Sequence, residues 1–260
     1  MKQFRTVLIT GASSGIGAAL AVHYAARGIT LYLTGRDGHR LSSVADMCRL
    51  RGAQVESGLI DVRNKAAMAE WLLGVDARAP VDLVIANAGI SGGTGGGQGA
   101  AWIEQESSIF EVNLMGALNT IQPLIPRMIH RRKGQIALMS SLAAFSGWPG
   151  APAYSASKAG IRIYGEALRG SLMPYEIGVS VICPGFIVSP MTAVNGYRMP
   201  FLMPADKAAH IIARALSKNR ARICFPWPTA VVAMTLGLVP PAVSSYFLSK
   251  LPAKPSLQES

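Results

Sequence analysis

Carboxylates are scarce in this chain. Its 260 residues hold 14 Asp and Glu against 25 Lys and Arg, a formal charge of +11 at pH 7. That imbalance points to anionic partners, whether nucleic acid, a membrane surface or a phosphorylated cofactor. Nucleic acid is not expected, because the basic residues are scattered. The one dense cluster, His130-Arg131-Arg132-Lys133, falls where a helix should end, and cations suit the helix dipole there. Cysteine is also sparse. Cys48, Cys183 and Cys224 are odd in number, far apart and without ligand spacing, which implies reduced thiols and a cytoplasmic protein. His23, His39, His130 and His210 form no ligand cluster, so no metal site is expected. Only 15% of residues are charged and 50% are hydrophobic, enough for a substantial core. The first apolar run, Thr6-Val7-Leu8-Ile9-Thr10, is too short for a signal peptide and breaks into glycine. It reads as a buried strand.

Short β-branched runs alternate with helical patterns. Strands are expected at Phe4–Thr10, Ile29–Thr34, Gln54–Ile60, Val81–Ala86, Gly134–Met139, Gly178–Cys183 and Ala221–Phe225. Helices are expected at Ile16–Arg27, His39–Arg51, Lys65–Ala77, Ala101–His130, Tyr154–Tyr175 and Pro204–Lys218. Nearly continuous apolar strands with helices between them predict an α/β fold, a doubly wound and mostly parallel seven-stranded sheet covered on both faces. The run Ser91–Gly99 is a glycine-rich loop, expected to be mobile without ligand. Residues 1–225 read as one domain, with a substrate loop at about 186–203.

Residues 226–260 form an apolar extension. No residue from Ile223 to Ser249 is charged, a run of 27 positions. Pro226, Pro228 and the pair Pro240-Pro241 break it into two short apolar helices around the double proline. Packing on the domain or on another subunit, and shallow insertion at the inner face of a membrane, both remain open readings.

A glycine turn follows the first strand: Thr10-Gly11-Ala12-Ser13-Ser14-Gly15-Ile16-Gly17. Missing side chains at 11, 15 and 17 let a pyrophosphate approach the backbone, and the helix that follows offers its N–H groups. After the second strand an NAD site usually places a carboxylate on the ribose 2′-OH. Here Gly35 and Arg36 stand instead. A guanidinium suits a 2′-phosphate, so NADP(H) is preferred over NAD(H), with Arg40 a candidate helper and Asp37 a counter-argument. Asp61-Val62 could hold the adenine edge, and Asn87-Ala88-Gly89 could back the ribose.

Tyr154 and Lys158 lie four apart, on one helix face. A phenol titrates near ~10, and a close ammonium favours the phenolate. The pair is a candidate acid/base working near neutral pH.

The chain resembles the short-chain dehydrogenase/reductase family. The resemblance is carried by Thr10–Gly17, Asp61-Val62, Asn87-Ala88-Gly89, Asn113, Ser140-Ser141, Tyr154–Lys158 and Pro184-Gly185, which occur in the family's order over roughly residues 4–192. It implies a Rossmann-type fold, a nicotinamide cofactor and reversible alcohol–carbonyl chemistry. By resemblance, Tyr154 is the acid/base and Lys158 its partner, which also holds the nicotinamide ribose. Ser141, with Ser140 as the competing assignment, bonds the reacting oxygen, and Asn113 organises a water beside the lysine. Ser13, Ser14 and Ile16 belong to the cofactor turn. Pro184, Gly185 and Ile187 line the nicotinamide face, and Ser189 stands where the family often has Thr. A homodimer or homotetramer, paired through the helices matching Ala101–His130 and Tyr154–Tyr175, is the family default.

Leu142, Ala143, Phe145, Trp148, Pro149, Phe186, Met191 and Tyr197 are candidate pocket residues, with no Arg or Lys among them. They favour an apolar ketone, aldehyde or secondary alcohol. Met191, Met199, Phe201 and Met203 mark a lid over 190–203. The alternatives are a non-catalytic NADP-binding regulatory module, an epimerase or dehydratase on the same scaffold, and a membrane-associated carbonyl reductase of lipid-type substrates.

Overall fold

The strand after Arg5, β1 (Thr6–Thr10), is buried at every position, as an apolar run between two covering layers must be. The structure is a computed structural model and describes residues 2–95, 103–250 and 253–255. From β1 the chain runs through α1 (Gly15–Tyr24), β2 (Thr30–Gly35), α2 (Gly38–Leu50), β3 (Gln54–Leu59), α3 (Lys65–Arg78) and β4 (Leu83–Ala86). The short helices α4 (Glu106–Phe110), α5 (Gly116–Ile121) and α6 (Ile125–Arg131) lead to β5 (Gln135–Met139) and the long α7 (Pro152–Leu172). Then come β6 (Gly178–Pro184), α8 (Pro190–Ala193), α9 (Ala205–Ser217), β7 (Arg222–Phe225), α10 (Trp227–Leu236) and α11 (Pro241–Leu248).

The strand order is β3-β2-β1-β4-β5-β6-β7, and every neighbouring pair is parallel. The sheet of the described residues is therefore wholly parallel rather than mostly so. Alternation along β1 splits the core. Val7 and Ile9 pack with Leu20 of α1, Val44 of α2 and Ile212 of α9. Leu8 points the other way, to Met68 and Leu72 of α3, Ile121 of α5 and Ile161 of α7. The winding reverses between β1 and β4, so a crevice opens beyond their carboxyl ends.

One expected helix is not a single helix. In place of Ala101–His130 the described part holds a 3₁₀ turn at Ile103–Gln105, α4, a π-helical turn at Glu111–Met115, α5 and α6. Residues 101–102 lie outside the described residues, as do positions 96–99 of the glycine-rich loop. The wider turn re-registers the helix against the sheet. A side chain at Gly116 would meet Val62 Cγ2 at 2.5 Å, and Asn119 Nδ2 donates to the Val62 carbonyl at 2.9 Å. Pro123, which lacks an N–H, falls in the gap between α5 and α6.

The tail does fold as two short helices around the double proline. Ala230, Ala233 and Met234 of α10 pack on Leu142, Val181 and Cys183, while Trp227 and Leu238 are 77% and 85% exposed. No helix of the described residues is long and apolar enough to cross a membrane.

The basic cluster at the end of α6 is spent inside the fold. Arg131 pairs with Asp76, Arg132 with Glu176 and Lys133 with Asp82, each at 2.9 Å. The first pair matters most. Asp76 is buried, accepts from the Val81 N–H at 2.9 Å, and holds a guanidinium that also donates to the Val81 carbonyl at 2.8 Å. This knot ties the ends of α3 and α6 to the chain entering β4. Asp76→Ala leaves a partly buried guanidinium and an amide unpaired. It should cost about 3–5 kcal/mol in urea unfolding; a loss below about 1 kcal/mol would show that the knot is dispensable.

Candidate active site

The crevice beyond β1 and β4 is one continuous cleft of about 1220 Å³. It reaches from Arg36 and Asp37 at one end to Trp148 and Lys254 at the other. Its floor is the glycine turn. Gly11 and Gly15 have φ of +64° and +53°, a region that disfavours side chains. A Cβ on Gly11 would stand 2.8 Å from Ala88 Cα, and one on Gly17 would collide with the Gly11 carbonyl. Asn87 fastens the crossing: its Nδ2 donates to the carbonyls of Thr10 (2.9 Å) and Gly11 (3.1 Å). Gly11, Ser13, Ser14, Gly15 and Ile16 line the cleft, whereas Gly17 lies behind it as a packing position. These glycines let the turn close against residues 87–88 and approach Ser189, and a backbone turn lining the cleft at the start of a helix fits a pyrophosphate.

Arg36 lines the outer end, is exposed, and makes no ion pair among the described residues. Its acidic neighbour is taken. Asp37 caps α2 by accepting from Arg40 N at 2.9 Å, and its other oxygen pairs with the Arg40 guanidinium. These hydrogen bonds hold its carboxyl below the usual range. Arg40 is correspondingly less free to help Arg36. Asp61 is also engaged, by Arg63 at 2.7 Å, and is held low by that bond.

Three elements bring the chemistry together. The α7 helix carries Tyr154 and Lys158, the loop after β5 carries Ser141, and the π-helical turn carries Asn113. Lys158 is buried, and its ammonium donates to the Met139 carbonyl at 3.0 Å. A Cβ on Gly89 would lie 3.2 Å from that nitrogen and 3.1 Å from Asn113 Oδ1, so this glycine leaves room for both. Asn113 clasps the loop after β4. Its Oδ1 accepts from Ile90 N at 2.8 Å, and its Nδ2 donates to the Ile90 carbonyl (3.0 Å) and to Ser157 Oγ (3.1 Å). The two candidate serines separate cleanly. Ser140 Oγ donates to the Lys158 carbonyl at 2.7 Å, a structural bond that anchors α7. Ser141 Oγ accepts from Ala143 N at 3.1 Å and lies beside the Tyr154 hydroxyl.

The electrostatics depart from expectation at Tyr154. Burial raises its pKa, with the Ser141 hydroxyl pulling the other way. The Lys158 ammonium lies 5.9 Å from the ring centroid and is itself lowered to about 8 by burial. The lysine does not bring the phenol down; desolvation of the anion sets the direction.

Pro184, Gly185, Ile187 and Ser189 all line the cleft. The segment after β6 is tacked down where Ile187 bridges to Met203 and Val188 N donates to Met203 O at 2.9 Å. Of the candidate pocket residues, Leu142, Ala143, Trp148, Phe186 and Met191 reach the cleft wall. Phe145 does not; the Arg162 and Arg222 guanidiniums lie over its ring. Tyr197 packs edge-on against Trp148 and Phe186 from behind. Pro149 is likewise absent from the wall.

Sequence reasoning missed two contributors. The tail supplies Val232, Ala233, Leu236 and Leu248 as wall residues. It also supplies Lys254, so the expectation of a pocket without Lys or Arg is overturned. The Lys254 ammonium stands 5.0 Å from the Tyr154 ring centroid, on a side chain whose residue is 5% exposed. The only local signal was Pro255, which biases the residue before it toward extended backbone.

Comparison with known proteins agrees with this geometry. A family profile described as short chain dehydrogenase matches residues 5–198. An uncharacterized oxidoreductase of Myxococcus xanthus is 39% identical over 229 residues, 88% of this chain and 90% of that protein. Among solved structures, a short-chain dehydrogenase from Sphingobium yanoikuyae in complex with NADPH superposes with a TM-score of 0.79 at 26% identity, covering 95% of this chain and 96% of that one. A 3-oxoacyl-[acyl-carrier protein] reductase from Brucella melitensis with bound NAD gives 0.72 at 27% identity, over 85% of this chain and 87% of that one. The chain belongs to the short-chain dehydrogenase/reductase family of oxidoreductases.

Proposed function

We propose that the protein is an NADP(H)-dependent oxidoreductase acting on a largely apolar ketone, aldehyde or secondary alcohol, with Tyr154 as the acid/base. The observation that carries this reading is the meeting of the Ser141 and Tyr154 hydroxyls and the Lys158 ammonium in the cleft that the glycine turn opens into. The dinucleotide would lie on Gly11–Ile16, with Arg36 at its 2′-phosphate, Asp61 and Val62 at the adenine, and Asn87–Gly89 behind the ribose. Pro184, Gly185, Ile187 and Ser189 would face the nicotinamide. When bound, the nicotinamide supplies or accepts the hydride and, in its oxidised form, adds a positive charge.

The chain's own groups handle the oxygen. Ser141 donates to it and Tyr154 gives it a proton as negative charge grows, which is stabilisation aimed at the transition state. A phenol raised by burial stays protonated at neutral pH, the form that reduction needs. Oxidation needs the phenolate, and reaching a pKa of about 7 from ~10 takes about 4 kcal/mol of charge stabilisation. Lys158 contributes part of that while protonated. Asn113 acts as a positioning residue, locking the loop after β4 to α7.

Three outcomes follow for the full-length protein. Tyr154→Phe should retain NADPH binding by fluorescence titration and lose carbonyl turnover at least about a hundredfold; undiminished turnover refutes the assigned role. In the wild type, kcat/KM for alcohol oxidation should climb as pH rises from about 6 to about 10, while ketone reduction stays level and then declines. A flat oxidation profile would mean that another group takes the proton. Arg36→Ala should weaken NADPH roughly tenfold or more and leave NADH nearly untouched, the scale of a lost charged hydrogen bond. Equal losses would place the 2′-phosphate elsewhere. NADPH accompanies one similar structure and NAD another, so this measurement decides the cofactor.

A further inference from the structure

The last described residues, 253–255, form a strap across the substrate end of the cleft. Gly93 N donates to the Pro255 carbonyl at 2.9 Å, and Gly95 N to the Lys254 carbonyl at 2.8 Å. On the other side, a Cβ on Gly150 would stand 3.1 Å from Ala253 Cα. A Cβ on Gly93 would collide with the Gly150 carbonyl and approach Lys254 Cβ to 2.5 Å. The strap thus threads between two loops that only glycine allows to come so close. Its backbone is hydrogen-bonded to one loop and packed closely on the other, and Lys254 lines the cleft.

The ammonium arrives with a cation–π contact to Tyr154 and no carboxylate. Among the described residues no Asp or Glu pairs with it, and the two acids lining the cleft, Asp37 and Asp61, are bound to Arg40 and Arg63 at the far end. The cleft that it lines also carries the apolar side chains of Leu142, Trp148 and Leu248. Burial lowers its pKa to about 8, so it remains mostly protonated at neutral pH. A contact with an aromatic face returns less than burying a charge costs. The imbalance is relieved by an anion entering the cleft, through a charge-assisted hydrogen bond.

We propose that Lys254 is a specificity-determining residue that receives a carboxylate on the substrate, so that the substrate is an apolar oxo acid or hydroxy acid whose carboxylate lies a few bonds from the reacting carbon. This rests on the reading that Tyr154 serves the reacting oxygen, since the ammonium is placed relative to that ring. A single ammonium is a compact point charge, matched to a monovalent carboxylate rather than to a phosphate, which draws forked or multiple donors.

The test separates this proposal from the one beneath it. Binding is measured first, by calorimetry on the full chain with octanoate and octanamide, which share an apolar body and need no chemistry. The wild type should hold octanoate about tenfold or more tighter. Lys254→Met should remove the difference, and Lys254→Arg should restore part of it. Removing a buried unpaired charge is not expected to unfold the protein, and a thermal melt of each variant checks that. Turnover follows, on eight-carbon 2-, 3-, 4- and 5-oxo acids and their methyl esters with NADPH. The ratio of kcat/KM for acid over ester should be about ten or more for at least one position in the wild type, and near one in Lys254→Met. Equal binding of octanoate and octanamide, or a ratio that Lys254→Met leaves intact, overturns the carboxylate assignment. Octanoate binding that depends on Lys254, without turnover of any carbonyl, retains that assignment and defeats the oxidoreductase reading.

Discussion

Two backbone segments touch with nothing between them at the carboxyl edge of β1 and β4. The turn at Gly11 meets the chain at Ala88, and the Gly11 carbonyl lies where a side chain on residue 17 would be. Both halves of the site hang from this contact. It brings the glycine turn under the place where a dinucleotide would run, and it sets the loop of residues 87–90 against α7 through Asn113. Asn113 spends its amide on Ile90 and Ser157, and Lys158 donates to the Met139 carbonyl. The constraint is steric at the floor and hydrogen-bonded at the wall. That combination is stiff, which suits a site whose proposed catalytic groups come from three separate elements.

Local chemistry was legible in the chain, and assembly over distance was not. The glycine turn and the Tyr154/Lys158 pair each fit within one turn or one helical step, so their meaning travels with their spacing. The inner strands were legible because a strand buried on both faces has to be apolar throughout, whereas the edge strand β3 is largely exposed; the strand ends moved by only a residue or two, where fraying decides the boundary. The π-helical turn under Asn113 left no mark, since one extra residue per turn does not alter composition. The Asp76–Arg131 knot joins residues 55 apart and shows no periodicity. The rise in the Tyr154 pKa was missed for a related reason: a helix spacing gives the distance to the lysine but says nothing about how much water is excluded from the phenol.

The tail illustrates the same divide. Its two short helices could be read from the prolines, and its lack of charge suggested a partner surface. In the folded chain one side of α10 is committed to Leu142, Val181 and Cys183, and the uncharged stretch forms part of the cleft wall. Lysines beyond such a run, here Lys250 and Lys254, look like a solvated end. Only the approach of two glycine loops, some 55 residues apart in the chain and meeting across the strap, turns Lys254 into the cleft wall.

That placement has a consequence for how the protein is made. Synthesis runs from the N-terminus, and a domain can begin folding before its last residues emerge. The glycine turn, the sheet and α7 are all complete before residue 230 is added. The closing wall at residues 253–255 leaves the ribosome after all of them. A growing chain can therefore present a finished glycine cradle while the far end of the cleft still stands open, and that end closes only once the strap has been added.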